Sequence, residues 1–253
     1  MHISNIELLN FLDSTLSPEK IKDFCPNGLQ VEGKTNIKKI VTGVTASQAL
    51  IDQAVEVDAD AIIVHHGYFW KGEAPSITGM KKNRISTLLK NDINLYAYHL
   101  PLDAHPTLGN NAQLAKRLDI IDVLPIEDCS PQNIVMKGRF AEPISPESLH
   151  QKIEKSLSKT PLFESATKQQ INTVAWCTGG GQGYIEQAAN LGIDAFITGE
   201  VSEQTIHIAR EMNIHFYAAG HHATERYGVK ALGEYINSQL GIETTFIDVH
   251  NPA

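Results

Sequence analysis

At 253 residues and 42% hydrophobic composition, the chain can bury a substantial core and suits one large or two modest domains. Its net charge of −8, with no basic run longer than Met80-Lys81-Lys82-Asn83-Arg84, argues against broad contact with a nucleic-acid backbone, and that run reads as a solvated helix start. Cys25, Cys129 and Cys177 are far apart and never C-x-x-C, the opening MHISNIELLNFLDST has no basic cluster before an apolar stretch, and no membrane-length apolar window follows; a soluble, unexported protein of a reducing cytoplasm is expected.

In chain order, a helix is predicted around Asn5 to Leu16, packed outside the first lobe, and Cys25-Pro26-Asn27-Gly28-Leu29-Gln30 reads as a turn-rich connection. KKIVTGV (from Lys38) is a β-branched strand pattern, SQALIDQAVEVDA a helix, and DAIIVHHG an apolar run without alternation, as in a buried parallel strand. Asn94-Leu95-Tyr96-Ala97-Tyr98 is the next strand, followed by a polar turn and a helix. Ile134 to Phe140 looks like a further strand, and Ser145-Pro146-Glu147 offers an N-cap with proline at the first helical position. From Asn172, NTVAWCTGGG, GYIEQAANLGI and DAFITGE repeat the earlier β-α-β order, and His215-Phe216-Tyr217-Ala218-Ala219 supplies the strand after it.

The repeat has a register. Ile51-Asp52-Gln53-Ala54 matches Ile185-Glu186-Gln187-Ala188 and Asp60-Ala61 matches Asp194-Ala195, each at an offset of 134 (194 − 60). Tyr96 and Tyr217 match at 121 (217 − 96), because GYFWKGEAPSITG lengthens the first copy. The fold class expected is α/β, with two similar three-layer α/β lobes made by internal duplication and a small α+β insert. The boundaries read as 1–125 for the first lobe, 126–170 for the insert and 171–253 for the second.

Three segments end predicted strands in metal-ligand residues: His65-His66-Gly67, His99-Leu100-Pro101-Leu102-Asp103 and Gly220-His221-His222-Ala223-Thr224-Glu225. Ligands of parallel sheets bind beyond the carboxyl ends of the strands, so a metal site between the lobes is expected. Adjacent strand residues point to opposite sides, so His65 and His66 would hold one ion each of a pair. His221 and Glu225, four apart at a helix start, would clamp a single ion. Asp103, after Pro101 on a loop, is the choice for a bridging ligand. Imidazole and carboxylate donors favour Zn, Mn, Fe or Ni over Mg or Ca. His105 and His222 read as solvated, core or supporting residues, and His99 as weak ligand, orienting group or packing residue. Gly179-Gly180-Gly181-Gln182-Gly183 is a tight turn or a phosphate-approaching loop, without the G-x-G-x-x-G spacing. The loop Phe69-Trp70-Lys71-Gly72 covers the site or packs at a subunit contact.

These segments, with Asn27-Gly28-Leu29-Gln30 and Thr198-Gly199-Glu200, resemble the YbgI-like branch of the Nif-three-like dinuclear-metal family, whose members are commonly labelled GTP cyclohydrolase I type 2 homologues. The similarity covers nearly the whole chain, through VTGVTASQAL, ADAIIVHHGYFWKGE, NDINLYAYHLPLDAHPTLGNNAQLA, VAWCTGGGQ, DAFITGEVSEQTIH and FYAAGHHATERYG. It implies a toroidal homohexamer with two divalent metal ions per subunit, held by His65, His66, Asp103, His221 and Glu225. The function expected is a metal-dependent hydrolase opening a purine nucleotide at C8 with release of formate. Glu200 would serve as general base, as partner of a ligand histidine, or as a helix cap. The alternatives are a non-catalytic metal-binding or metal-trafficking hexamer and, less compatible with the acidic balance, an architectural ring on DNA.

Overall fold

The apolar runs read as buried strands form the centres of two separate sheets in the computed structural model, which describes residues 2–166 and 170–253. The chain begins β1 (Ile3–Ser4), α1 (Asn5–Leu16), β2 (Gly28–Val31), β3 (Asn36–Ile37), β4 (Lys39–Thr45), α2 (Gln48–Glu56), β5 (Ala61–His66), α3 (Gly79–Lys90), β6 (Asn94–Ala97) and α4 (Leu100–Ala104). It continues with α5 (Asn110–Arg117), β7 (Ile121–Pro125), β8 (Met136–Ile144), α6 (Pro146–Leu157), β9 (Leu162–Glu164), β10 (Ile171–Cys177) and α7 (Ile185–Asn190). Then come β11 (Ala195–Thr198), α8 (Glu203–Glu211), β12 (His215–Ala218), α9 (His221–Leu240) and β13 (Glu243–Phe246). Two compact units result, Met1–Leu102 with Gly228–His250, and Asp103–Tyr227 with Asn251–Ala253.

Among the described residues, the first unit's main sheet runs β13-β4-β5-β6-β2, parallel except for the antiparallel edge strand β2. The interiors of β4, β5 and β6 are buried, as parallel strands covered on both faces require. Leu50, Ile51 and Ala54 of α2 and Ile85 and Leu88 of α3 pack with Val41, Ile62, Val64 and Leu95 of the sheet. α1 opens with a capping box, Ser4 with Glu7, and buries Leu8, Leu12 and Leu16. It is tied down by the Tyr96 hydroxyl, which donates to the Asn5 carbonyl at 2.8 Å, and by the Tyr98 hydroxyl, which donates to Asp13 at 2.6 Å. The segment read as a turn-rich connection runs into β2, because Gly28, at φ +103, turns the chain so that Gly28–Val31 can pair with β6.

Among the described residues, the second unit's sheet runs β7-β8-β10-β11-β12-β9, with β10, β11 and β12 parallel. β8 lies antiparallel to β10 and β9 antiparallel to β12. α6 starts at Ser145, whose side chain accepts from the Ser148 amide with Pro146 at the first position, and its Leu149, Ile153 and Leu157 join Trp176, Ile197 and Tyr217 in one core. The breaks between units therefore do not fall at 125 and 170. Strand pairing decides membership: residues 126–170 carry β8, α6 and β9 of the second sheet, whereas β13 pairs with β4 and completes the first.

The duplication extends to individual hydrogen bonds. The Asp60 carboxylate accepts from the Lys38 and Lys39 amides at 2.7 and 3.0 Å, and Asp194 accepts from the Asn172 and Thr173 amides at 3.0 and 2.8 Å. Their carbonyls receive the Asn94 and His215 amides at 3.1 and 3.0 Å. Each aspartate thus starts three neighbouring strands. Burial pushes the Asp60 carboxyl up, but Lys34 and the two amides outweigh it and hold the group below the ordinary carboxylate range. We expect Asp60→Ala and Asp194→Ala each to cost about 1.5–3 kcal/mol in urea unfolding, the range for hydrogen bonds to a charged group. Because the Asp60 carboxyl is depressed in the folded chain, its contribution is present above the unfolded-state pKa and lost as pH falls through the folded one. The difference between parent and Asp60→Ala should therefore shrink in acid; a difference that grows there would contradict the assignment.

Candidate metal centre

In the first unit, the end of β5 brings imidazoles together. His65 is fully buried, and its Nδ1 lies 3.0 Å from the Tyr98 carbonyl, an acceptor only, so Nδ1–H donates. His66 Nδ1 lies 3.2 Å from Thr45 Oγ1. Strand alternation would set the two rings on opposite faces, yet their centroids are 4.4 Å apart, and one ligand atom from each of His65, His66 and His99 falls within 4.8 Å of the others. Two upstream residues hold these ends in place. Asn27 Oδ1 accepts from the His99 amide at 2.8 Å, and Gln30 accepts from the Tyr68 amide at 2.7 Å. A Cβ at Gly67 would overlap Gln30 Oε1, so only glycine fits after the histidine pair.

Asp23, which the sequence reading passed over, completes this half. Its Oδ1 is 2.7 Å from His99 Nδ1, and its Oδ2 accepts from the Leu100 amide and the Asn27 side chain at 2.9 and 3.0 Å. Burial alone would raise its pKa, but the bonds from His99, Asn27 and the Phe24 amide bring it below the ordinary range. His99 is thereby an oriented imidazole beside the pair, a role left open by its sequence position. Trp70 packs edge-on against it, with centroids 4.9 Å apart at 80°.

In the second unit, His221 and Glu225 open α9 one turn apart, as the spacing predicts. His221 Nε2 is 3.2 Å from Glu225 Oε2, and its Nδ1 is 2.7 Å from Glu200 Oε1. Burial would lower the His221 pKa, but Glu225 and Glu200 push it up to about 9. The pocket therefore favours positive charge at this imidazole. Asp103 sits on the one-turn helix α4 rather than on a loop, and its Oδ1 accepts from Asn110 at 2.8 Å and Thr178 at 3.3 Å. Asp103 and Glu225 are 4% and 2% exposed, and carboxylate oxygens of the two lie within 4.8 Å of one another. Both also raise the Cys177 thiol, after burial, well above its ordinary range, which leaves that thiol inert.

The glycine turn packs directly against this cluster. A Cβ at Gly179, at φ +65, would overlap Glu225 Oε1 and lie 3.1 Å from His221 Nε2. The Gly179 and Gly181 amides already donate to Thr224 Oγ1 and Thr198 Oγ1, both at 3.0 Å. A Cβ at Gly199 would meet the His221 backbone at 2.7 Å, which accounts for Thr198-Gly199-Glu200 as a unit. Glu200 does not cap α8; Ser202 does, accepting from the Thr205 amide. His105 Nδ1 accepts from the Thr107 and Leu108 amides, a local turn, and His222 is buried with its amide donating to the Ala253 carbonyl.

The donor geometry fits a divalent ion. Two donors each about 2.0–2.1 Å from one metal, at angles between octahedral and tetrahedral, lie roughly 2.8–3.4 Å apart. His221 Nε2 and Glu225 Oε2, at 3.2 Å, fall inside that window. His65, His66 and His221 all engage a partner through Nδ1, the arrangement that orients a ligating imidazole through Nε2.

Residues 2–252 match the Duf34/NIF3 (NGG1p interacting factor 3) family. The chain belongs to this family. A Vibrio cholerae protein called GTP cyclohydrolase 1 type 2 homolog is 58% identical over 252 residues, 99% of this chain and 100% of that one. Among solved structures, the protein ybgI, described as of unknown function, superposes with a TM-score of 0.95 at 56% identity, covering 99% of this chain and 100% of its own. A Thermus thermophilus protein superposes with a TM-score of 0.90 at 34% identity, covering 99% of this chain and 100% of its own. None of the described helices is long and apolar enough to cross a membrane.

The glycine contacts yield a paired expectation. Gly179→Ala should displace Glu225 and lower divalent-metal affinity at least tenfold, whereas Gly183→Ala, with nothing within 4 Å of its Cβ, should bind as the parent does. Titration with a metal-sensitive dye checks both, and equal affinities would contradict the packing argument.

Proposed function

We propose that His65, His66, Asp103, His221 and Glu225 are the ligands of one dinuclear divalent-metal centre, and that the protein is a metal-dependent hydrolase acting on a purine nucleotide. One observation carries the reading: two buried carboxylates, Asp103 and Glu225, offer oxygens within 4.8 Å of each other, and His221 Nε2 lies 3.2 Å from Glu225 Oε2. Two carboxylates buried so close repel when both are ionised, and a divalent cation held between them would remove that repulsion. Zn, Mn, Fe and Ni all suit these donors. Two such ions would supply Lewis-acid polarisation of the electrophile and acidify a water molecule.

The chain's own residues then have separate tasks. The Tyr98 carbonyl, Thr45 and Glu200 orient the three imidazoles. Asn110 and Thr178 fix the Asp103 carboxylate through Oδ1. Glu200, bonded to His221 Nδ1 and 3.3 Å from Gln182 Nε2, is a positioning residue, and this geometry favours that role over a helix cap. The name carried by the Vibrio cholerae relative supports a cyclohydrolase reaction, hydrolytic opening of the imidazole ring of GTP with release of formate. Assembly as a homohexamer belongs to the same proposal.

Metal-loaded protein incubated with GTP should release formate, and Asp103→Ala should lose at least about a hundredfold of that rate, on the scale for a group that fixes catalytic geometry. Glu200→Gln should lose about 10–100-fold in metal affinity or rate. No formate from protein with full metal content would overturn the hydrolase reading and leave the metal-binding alternative, in which ions are exchanged with an acceptor.

A further inference from the structure

Beside the histidine cluster of the first unit, an aromatic loop is built more firmly than packing alone demands. Trp70 lies edge-on to His99, and its ring centroid is 6.0 Å from that of His66. Its Nε1 donates to the Gly67 carbonyl at 3.1 Å, and its amide donates to Glu73 Oε2 at 3.1 Å. Phe69, next to it, is held at φ +65, a conformation that a bulky side chain adopts only when its surroundings impose it. The restraint comes from Lys81, which is buried, lies 4.9 Å over the Phe69 ring, pairs with Glu73 at 3.4 Å and donates to the Ala74 carbonyl at 3.2 Å. The Lys71 amide donates to the Phe24 carbonyl at 2.6 Å, which ties the loop to the segment carrying Asp23. Phe24 itself is 60% exposed, and Lys71 is exposed beside Trp70.

We infer that Trp70 and Phe24 form the aromatic wall of a nucleotide subsite next to His66 and His99, with Lys71 as its cation. The inference rests on the nucleotide reading above and specifies which surface recognises the base. Three observations point to a planar, anionic ligand. The Trp70 indole lies 6.0 Å, centroid to centroid, from His66, a proposed metal ligand, and so stands at the edge of the proposed centre. Phe24, exposed and joined to the same loop through its carbonyl, brings a second aromatic side chain to this edge, and bases stack on aromatic faces irrespective of their hydrogen-bonding edges. The adjacent exposed lysine supplies the charge that a phosphate would meet.

The two tryptophans make the test direct, because Trp176 is fully buried in the second unit and Trp70 reports on the loop. Metal-loaded protein is titrated with GTP and with inorganic tripolyphosphate, following tryptophan emission and binding heat. The expected result is saturable quenching by GTP with no quenching by tripolyphosphate. Phe24→Ala and Trp70→Leu should each weaken GTP binding about tenfold by calorimetry at unchanged metal content, and Phe24→Tyr and Trp70→Phe should restore it. Equal responses to the two ligands, no binding of GTP, or parental affinity in Phe24→Ala and Trp70→Leu would overturn the inference. The two readings fail separately. Quenching without formate release removes the cyclohydrolase reaction and keeps the subsite; formate release with parental KM in Phe24→Ala does the reverse.

Discussion

The buried pair Asp103 and Glu225 sets the electrostatic problem that the rest of the second unit is arranged to meet. At an effective dielectric of about 20, two full charges roughly 4.8 Å apart repel by on the order of 3 kcal/mol. That is a large fraction of the net stability of an ordinary domain, and burial adds to it. A single imidazolium at His221, already shared with Glu200, leaves the cluster with excess negative charge. The divalent cations proposed above would offset that charge, and imidazoles pinned through Nδ1 are the usual companions of such ions.

The scaffold places these donors by repeating itself. In each unit, three parallel strands start from one aspartate, Asp60 or Asp194, and the donors appear where those strands end. Close approach there depends on absent side chains. Gly67 admits Gln30, Gly179 admits Glu225 and His221, and Gly199 lets the start of α9 rest against the sheet. The candidate donors are histidines and carboxylates, but the glycines decide whether those groups can reach one another.

Much of this was legible in the sequence because the signal was local or periodic. The expected helix around Asn5 to Leu16 matches α1, the strand centres follow from unbroken β-branched runs, and the repeat from matching offsets. His221 and Glu225 were found from helical spacing alone. What escaped depends on contacts distant in the chain. Asp23 meets His99 across 76 positions and Thr178 meets Asp103 across 75, with no spacing rule to reveal either. β2 was hidden by the glycine and proline around it, and β13 by its place at the far end of the chain from β4, its partner.

Metal stoichiometry is the most direct test of a dinuclear centre. Elemental analysis of purified protein, with an anomalous-scattering map of its crystals, should find two divalent ions per chain, each within bonding distance of ligands drawn from His65, His66, Asp103, His221 and Glu225. One ion or none at those side chains in protein supplied with excess metal would contradict it.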